Sequence, residues 1–360
     1  MNLAIAAGGT GGHLFPGLAV GEIFLGRGHG VMLIVSEKEI DAVATQGRSG
    51  FRIEKVPGVG LQGKSPLALF QFLAKFRAGL ALCRRLYADF APAAVLGMGG
   101  FTSTGPILAG RQRGVPTFIH ESNAIPGKAN KLNGRLATRV LTGFAECAPH
   151  FPAGKCTVTG TPVRQSLAVR VEKSAALAKF ALSPERRTLL VMGGSQGAHG
   201  INQALADALP QLRDAAVQVI HLTGRDDETM MRESYAQAGV PAFVAAFYHR
   251  MEDAYSAADL AIARSGAASL TELSHFGLPS VLIPLPTAAE DHQTLNARIF
   301  ERAGAAVLLP QREITAGHLV GKLRWLLEPA RLTEMSTKAA SLATKDAAER
   351  VADTILKACA

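Results

Sequence analysis

Along this 360-residue chain, short apolar runs alternate with segments of helical spacing, and the alternation occurs twice. The predicted strands of the first half are residues 3–7, 31–36, 93–96, 116–119 and 140–142. Residues 17–26 and 105–114, which lie between these runs, have the spacing of helices. Strands that alternate with helices indicate βαβ units and therefore a parallel sheet.

The pattern breaks near residues 161–164 and then restarts. The predicted strands of the second half are residues 188–192, 217–222, 242–245, 260–263 and 280–283. A chain of this length is long enough for two domains. We therefore predict an α/β protein with two Rossmann-like parallel-sheet domains facing a central cleft.

Glycine-rich turns follow several of the predicted strands. "AGGTGGH" opens the first half and "GGSQGAHG" opens the second, while "GMGG" and "RSGAAS" follow other strands. Glycine lets a ligand approach the backbone, and the free N–H groups of the helix that follows attract anions. Because ligands of doubly wound sheets bind beyond the carboxyl ends of the strands, these turns predict a phosphate-bearing ligand.

Charge and cysteine content narrow the class of protein. The formal net charge of +9 favours acidic partners such as phosphates, anionic lipid or nucleic acid. The four cysteines form no CxxC pair, which is typical of a reducing compartment and predicts neither a zinc site nor a disulfide framework. No apolar run approaches 18 residues and the N-terminal run is too short for a signal peptide, so we expect a cytoplasmic protein.

Three short motifs point to other chemistries. "GVGLQGKS" (residues 58–65) matches the P-loop pattern, but the preceding segment alternates like a half-exposed strand and no Walker B partner is evident. "GGSQG" (residues 193–197) matches a nucleophile elbow, with Asp259 or Asp291 and His292 or His318 following in the right order, but it opens a domain. "GGTGGH" lacks the third glycine of a dinucleotide fingerprint, so it does not support NAD binding.

Seven stretches in a consistent order resemble the MurG family of peptidoglycan N-acetylglucosaminyltransferases. They are "GGTGGHLFPGLAV", "GMGGF", "HESNAIPGKAN", "GTPVR", "GGSQGA", "RSGAASLTE" and "DHQTLNA". The resemblance implies a GT-B fold with an acceptor domain over residues 1–161, a UDP-sugar domain over 162–340 and a final helix, 341–360, that packs back on the first domain. "GMGGF" has Phe101 where a tyrosine is frequent, and the loop before "DHQ" departs from the family pattern.

The resemblance also implies the reaction. N-acetylglucosamine would pass from UDP-N-acetylglucosamine to the 4-hydroxyl of the N-acetylmuramoyl sugar of lipid I, with inversion, giving lipid II. No DxD pair appears in the chain, so no metal or other cofactor is expected. The partners would be lipid I and an anionic membrane surface rather than nucleic acid, at the cytoplasmic face of the plasma (inner) membrane. A UDP-N-acetylglucosamine 2-epimerase or another lipid-acceptor transferase of this fold is the alternative.

Fourteen positions match donor-contact positions of the family. They are Thr10, Gly11, Gly12, Asn123, Arg164, Ser195, Tyr248, Ala267, Ala268, Ser269, Leu270, Thr271, Glu272 and Gln293. Ser195 and Arg164 match the diphosphate contacts, Glu272 the ribose contact, and Gln293 a contact to sugar hydroxyls. Ser269 and Glu272 also have the spacing of a capping box, so Glu272 could simply cap its helix.

The first-half turns would hold the acceptor. Gly9, Gly99 and Gly100 are the expected contacts to its diphosphate. His13 is our candidate for the general base because the ordinary pKa of histidine lies near the working pH. Glu121 is a second candidate for a catalytic group, and His120 is a further rival for the base.

An apolar and basic segment suggests a membrane contact. Residues 65–85 carry Leu69, Phe70, Phe72, Leu73 and Phe76, with lysines and arginines nearby. An apolar helix face edged with cations suits an anionic membrane surface. The alternative is an ordinary helix that packs on its own sheet.

Overall fold

The structure is a computed structural model that describes residues 1–8, 11–37, 49–57, 65–194, 197–213 and 215–359. The chain divides into two compact units. The first unit comprises Met1–Arg164 and Asp346–Ala360, and the second comprises Gln165–Lys345.

The first unit is built on a parallel sheet. Its described strands are β1 (Asn2–Ala6), β2 (Gly30–Val35), β3 (Phe51–Lys55), β4 (Ala94–Gly97), β5 (Thr117–Glu121), β6 (Arg139–Thr142) and β7 (Cys156–Val158). They lie in the order β3-β2-β1-β4-β5-β6-β7. The order reverses between β1 and β4, which is where doubly wound sheets bind their ligands.

Helices cover both faces of this sheet. They are α1 (Gly11–Gly26), α2 (Pro66–Phe90), α3 (Thr104–Gln112) and α4 (Lys128–Leu136). Alternate residues of β1 point to opposite faces, so Leu3 and Ile5 join one buried cluster with α1 while Ala4 and Ala6 join another with α2 and α3.

Helix α2 begins where the P-loop match ends. Ser65, the last residue of that match, caps the helix, since its Oγ accepts a hydrogen bond from the Ala68 N–H at 3.1 Å. Residues 58–64 lie outside the described residues. Serine before proline at the first helical position is a typical helix start. The serine that would bind magnesium in a P-loop therefore has a structural role here as a helix cap.

The second unit repeats the same plan. Its described strands are β8 (Arg187–Met192), β9 (Val217–Leu222), β10 (Ala242–Ala245), β11 (Leu260–Ala263), β12 (Ser280–Leu282) and β13 (Ala306–Leu308), in the order β10-β9-β8-β11-β12-β13. Its helices are α5 (Lys173–Lys179), α6 (His199–Leu212), α7 (Glu228–Ala238), α8 (Met251–Ala257), α9 (Ala267–His275), α10 (His292–Arg302), α11 (Ala316–Leu326) and α12 (Pro329–Ser341). The prediction of two Rossmann-like parallel-sheet domains is thus confirmed. The strand order reverses here between β8 and β11.

A last helix, α13 (Ala347–Cys359), belongs to the first unit. Val351, Ala352 and Ile355 are fully buried against the cluster that contains Leu3 and Leu14. On the outer side, Asp353 pairs with Arg27, which directly follows α1, at 2.6 Å. None of the helices in the described ranges is long and apolar enough to cross a bilayer.

Replacing Ile355 by Ala should destabilise the first unit by about 2–5 kcal/mol, because a fully buried side chain is lost and a cavity remains. Asp353→Ala on the same helix should cost about 1 kcal/mol or less, because its ion pair with Arg27 is exposed. Urea unfolding, with hydrogen exchange of the β1 and β4 amides as the readout, measures the loss of stability in both variants. Equal costs for the two variants would mean that α13 does not complete this core.

Candidate functional site

The first unit brings two of its glycine-rich turns together. The turn after β4 has Gly99 and Gly100 at φ +118° and +71°, which side chains rarely adopt. A Cβ on Gly99 would lie 2.7 Å from Nε2 of His13, so the imidazole of His13 packs on bare backbone. Thr102 ties the turns further by donating a hydrogen bond to the Gly8 carbonyl at 3.2 Å.

His13 therefore stands at the switch point of the first sheet. It lies in the first turn of α1 with Gly11 and Gly12, and all three are half-buried. Gly9 and Thr10, expected to contact substrate, lie outside the described residues.

Glu121, at the end of β5, is held on all sides by amide donors. Its Oε1 accepts from the backbone and side-chain amides of Asn123 at 3.0 and 2.9 Å. Its Oε2 accepts from the Gly127 N–H at 3.2 Å and from Asn130 Nδ2 at 2.9 Å. The carboxylate thus fixes the loop that presents Asn123.

His120 is fully buried beside it. Its Nε2 lies 2.9 Å from the Gly160 carbonyl oxygen, so this nitrogen donates. Its Nδ1 then accepts from Ser122 Oγ at 3.4 Å. Burial lowers the pKa of His120, and the hydrogen bond to Gly160 opposes this only in part.

Arg164, the last residue of this part of the first unit, lies over an aromatic ring. Its guanidinium carbon is 4.3 Å from the ring centroid of Phe15, two residues after His13. A guanidinium over an aromatic face is stabilised by the ring quadrupole. Arg164 is therefore held next to the first turn of α1.

In the second unit, the turn after β8 also excludes side chains. A Cβ on Gly197, at φ +72°, would lie 2.5 Å from the Thr223 carbonyl oxygen, and one on Gly193 would lie 2.4 Å from the Ala198 nitrogen. Ser195, the expected diphosphate contact, lies outside the described residues. Asp259, a possible partner of Ser195 in a hydrolase, lies before β11 and accepts from the Thr188 N–H, at the opposite end of the strands.

Helix α9 carries Glu272 in its second turn. The helix begins at Ala267 after Gly266 and has no side-chain cap, so Ser269 and Glu272 do not form a capping box. Tyr255, which is buried, donates a hydrogen bond to Glu272 Oε2 at 2.6 Å. Within the helix, Ala268, Ser269 and Thr271 are half-buried, whereas Ala267 and Leu270 are buried.

Gln293 has a fixed orientation. Its Oε1 accepts from the Leu285 N–H at 2.9 Å, and its backbone carbonyl accepts from Ser265 Oγ at 2.8 Å. Because an N–H group only donates, the amide oxygen must face Leu285 and the NH₂ group must point elsewhere. The chain before α10 is left-handed at Glu290 and Asp291, with φ of 55° and 51°.

Arg264 supports this region and was not among the predicted site residues. It is 7% exposed and donates to the carbonyls of Ile283 and Pro284, both at 3.1 Å, and to Gln311 Oε1 at 2.7 Å. Burial without a carboxylate acceptor among these bonds lowers its pKa. Its signal in the sequence is a cation at the end of the apolar run "LAIA".

Tyr248 lies in an aromatic cluster with Phe180 and Phe243, with ring centroids 5.0 and 5.9 Å away. Its hydroxyl donates to Asp253 Oδ2 at 3.1 Å. Burial, and then the neighbouring Asp253 carboxylate, raise its pKa. The side chain is thus engaged in the fold.

A buried polar network stands behind the β8 turn. The Tyr235 hydroxyl lies 3.1 Å from His221 Nδ1, and His221 Nε2 lies 2.9 Å from Asn202 Oδ1. Asn202 Nδ2 donates to Asp227 Oδ2 at 2.7 Å, and Asp227 Oδ1 lies 2.9 Å from Nδ1 of the exposed His199. Burial lowers the pKa of His221 to about 3.

The apolar residues expected on one face of α2 fall into two groups. Leu69, Phe70 and Leu73 are 50%, 69% and 39% exposed. Phe72 and Phe76 are half-buried and stack on each other, and Phe72 also contacts Phe101 edge-on. The second half of the helix, with Leu80 and Tyr87, belongs to the core. The described helix thus has both a packed end and an exposed apolar end.

Within the described ranges, no group of three or more histidine, cysteine, aspartate or glutamate side chains is placed to hold a metal ion.

Comparisons with known proteins agree with this architecture. Residues 3–142 match the N-terminal domain of glycosyltransferase family 28, and residues 188–351 match its C-terminal domain. The chain is 39% identical over 367 residues to the UDP-N-acetylglucosamine–N-acetylmuramyl-(pentapeptide) pyrophosphoryl-undecaprenol N-acetylglucosamine transferase of Geobacter metallireducens, covering 99% of this chain and 98% of that one.

Two solved structures share the fold. The crystal structure of Acinetobacter baumannii MurG superposes with a TM-score of 0.79 at 29% identity and covers 99% of both chains. A UDP-GlcNAc 2-epimerase from Neisseria meningitidis, bound to UDP-GlcNAc, has a TM-score of 0.70 at 14% identity over 99% of this chain and 100% of that one. At that identity the epimerase shares the fold alone.

The network around His221 predicts a pH dependence of stability. In the unfolded chain histidine titrates near its ordinary pKa of about 6.5, whereas folded His221 stays neutral until about pH 3. The unfolded state therefore binds more protons over this range, so the stability contributed by neutral His221 is lost as the pH falls. Between pH 7 and 5, the unfolding free energy of the second unit should fall by about 2 kcal/mol through this group.

Urea unfolding at each pH measures this loss. His221→Gln should make the unfolding free energy depend less steeply on pH. Val219→Ala, a buried change on the same strand, should lower the unfolding free energy at every pH and leave its pH dependence unchanged. If His221→Gln showed the same pH dependence as the wild type, His221 would not be the group responsible.

Proposed function

Because the chain belongs to the MurG family within glycosyltransferase family 28, we propose that it transfers N-acetylglucosamine from UDP-N-acetylglucosamine to the 4-hydroxyl of the N-acetylmuramoyl sugar of lipid I. The product is lipid II, an intermediate of peptidoglycan synthesis. The proposal rests above all on the full-length match to a relative with this name at 39% identity. The switch points of both sheets, with their glycine turns, support it.

An inverting transfer needs a base for the acceptor hydroxyl and stabilisation of the departing UDP. His120 is unsuited to act as the base, because both ring nitrogens are engaged and the ring is buried. Glu121 has both oxygens occupied by amide donors, which fits a positioning role for Asn123. We assign the base to His13, which is half-buried at the switch point.

The acceptor diphosphate is assigned to the bare backbone of the first unit, at Gly9, Gly99 and Gly100. Gly100 has no side chain to hold a ligand away from its peptide groups, and the His13 imidazole, which packs on Gly99, borders the same turn. Gly11 and Gly12, at the start of α1, lie where a helix N-terminus attracts an anion. We assign Thr10, Gly11 and Gly12, with Asn123, to the donor sugar.

The UDP moiety is assigned to the second unit together with Arg164. Glu272 accepts the ribose hydroxyls, and the hydrogen bond from Tyr255 sets the orientation of its carboxylate. The first turn of α9, residues 267–271, contacts the nucleotide through its backbone, and the backbone at Tyr248 contacts the uracil. Ser195 and Arg164 bind the diphosphate as a hydroxyl donor and a charged donor.

Gln293 binds the sugar by donation. Its amide oxygen already accepts from Leu285, so the NH₂ group is the side that meets sugar hydroxyl oxygens. Arg264 holds the carbonyls that precede Leu285 and so keeps this loop in place.

The enzyme binds the cytoplasmic face of the plasma membrane peripherally. The exposed Leu69, Phe70 and Leu73 form one apolar patch at the start of α2, with Phe101 exposed as well. Lys75 and Arg77 on the same helix are exposed and suit anionic headgroups. A bilayer contact is required in any case, because the acceptor is a membrane lipid.

His13→Ala should lower kcat by about 10²- to 10⁴-fold, the usual contribution of a general base, and leave UDP affinity unchanged. The assay is transfer of radiolabelled N-acetylglucosamine to a soluble-tailed lipid I analogue in EDTA, with UDP binding measured by calorimetry. His150→Ala, an exposed histidine of the same unit, is the control and should remain active. Near-normal kcat in His13→Ala would remove His13 from the chemistry, and turnover of the donor without acceptor would point to an epimerase.

The triple variant Leu69→Ser, Phe70→Ser and Leu73→Ser should bind anionic vesicles at least about tenfold more weakly, because three exposed apolar side chains no longer insert. Vesicle sedimentation measures binding, and UDP affinity should stay unchanged. Leu132→Ser, with a leucine 46% exposed in the same unit, is the matched control. Equal vesicle binding by the triple variant and the control would place the membrane contact elsewhere.

A further inference from the structure

The second unit contains a cavity of about 510 Å³ that the proposed reaction does not use. Arg187 begins β8, Asp259 precedes β11 and Pro279 precedes β12, so the cavity lies at the amino ends of these strands. The glycine turns assigned to substrates follow the carboxyl ends. The cavity is therefore at the opposite edge of the sheet from the donor site, and its volume is within the range of small-molecule pockets.

The described lining carries more positive than negative charge. Arg170, Lys173 and Arg187 line the cavity, and Asp259 is the one carboxylate among the described lining residues. Asp259 Oδ1 serves two of these cations, at 2.6 Å from Lys173 Nζ and 3.2 Å from Arg187 Nη1. Arg170 has no carboxylate partner among the described residues. It donates a hydrogen bond to the backbone carbonyl of His275 at 3.0 Å, and its guanidinium lies 5.8 Å from the ring centroid of Phe276. Three cations against one carboxylate leave about two positive charges for a ligand to balance.

The remaining lining suits an anion with an apolar body. Phe276, Leu278 and Leu332 supply apolar surface, while Thr333, Ser336 and Thr337 supply hydroxyl groups. Lys173 and Arg187 are 42% and 46% exposed, so they are accessible from solvent. A phosphate monoester on a ring or short chain matches this combination in charge and size.

The cavity also touches the residue that orients Glu272. Tyr255 lines the cavity, and its hydroxyl donates to Glu272 Oε2 at 2.6 Å. Its ring lies 5.1 Å from that of Phe276, which follows α9 directly. One end of α9 thus borders the cavity, and its first turns carry the residues assigned to the nucleotide.

We propose that this cavity binds a small organic phosphate dianion and that its occupation changes nucleotide affinity through Tyr255 and α9. The binding site stands independently of the reaction, whereas the coupling rests on the proposed function. A ligand that moves Phe276 or Tyr255 alters the placement of the Glu272 carboxylate, and by linkage the nucleotide then alters the affinity for that ligand equally.

Phenyl phosphate is the probe, titrated by calorimetry into the full chain saturated with UDP. The wild type should bind it, and Arg170→Gln with Arg187→Gln should weaken binding at least tenfold. Asp259→Asn should strengthen binding several-fold, because it removes the negative charge but keeps an oxygen that can accept from Thr188. Arg232→Gln, a surface arginine of the same unit, should change nothing.

Because one variant should weaken phenyl phosphate binding and the other should strengthen it, misfolding alone cannot produce both results. Circular dichroism checks that each protein is folded. No binding by the wild type, or equal affinity in the double variant and in Asp259→Asn, would overturn the site. Phenol and inorganic phosphate, tested alongside, should each bind at least tenfold more weakly than phenyl phosphate. If phenol or inorganic phosphate bound as tightly as phenyl phosphate, the proposal that the site recognises an anion with an apolar body would be wrong.

The coupling is tested by measuring UDP affinity with and without phenyl phosphate. We expect a change of at least threefold in the wild type and none in Tyr255→Phe, which lacks the hydroxyl that reaches Glu272. No change in the wild type, or the same change in both proteins, would overturn the coupling. Failure of the wild type to bind UDP at all would instead contradict the proposed function and leave the phenyl phosphate result standing.

Discussion

Close approach to bare backbone at the carboxyl ends of the central strands is the constraint on which both units depend. In the first unit, the His13 imidazole occupies the space where Gly99 would carry a Cβ. In the second, the turn at Gly197 runs against the Thr223 carbonyl with no room for a side chain. Within each unit, such contacts hold turns that are distant in sequence against each other at one edge of the sheet, so the glycines act as much through packing as through flexibility.

Buried polar side chains fix the shape of neighbouring loops at the same edges of the two sheets. Glu121 gathers four amide donors around one carboxylate, and Arg264 distributes its donors over three oxygens. An unpaired buried polar group is costly, so the groups that share these bonds favour one arrangement of each loop. Glu121 thereby fixes the position of Asn123, and Arg264 holds the carbonyls that precede Leu285, the partner of Gln293.

The fold could be predicted from the sequence, because the buried strands of a parallel sheet are short apolar runs. The turns at the carboxyl ends of several of these strands are rich in glycine. The family was evident from motifs in order, and the full-length comparison confirms it. The short outer strands β7 and β13 were not predicted, since three residues carry little pattern. The bond from Tyr255 to Glu272 could not be predicted either, because pairing across α8 and α9 depends on how two helices pack. The division of α2 into an exposed and a buried end likewise depends on the neighbours of the helix rather than on its own spacing.

The first unit is discontinuous in the chain, which bears on the order of events during synthesis. Its core includes Val351 and Ile355, yet the ribosome makes the whole of Gln165–Lys345 before it makes these residues. The second unit is continuous and can fold as soon as it emerges. The nascent first unit must meanwhile keep the apolar face around Leu3 and Leu14 uncovered, which exposes it to aggregation and to chaperones until α13 arrives.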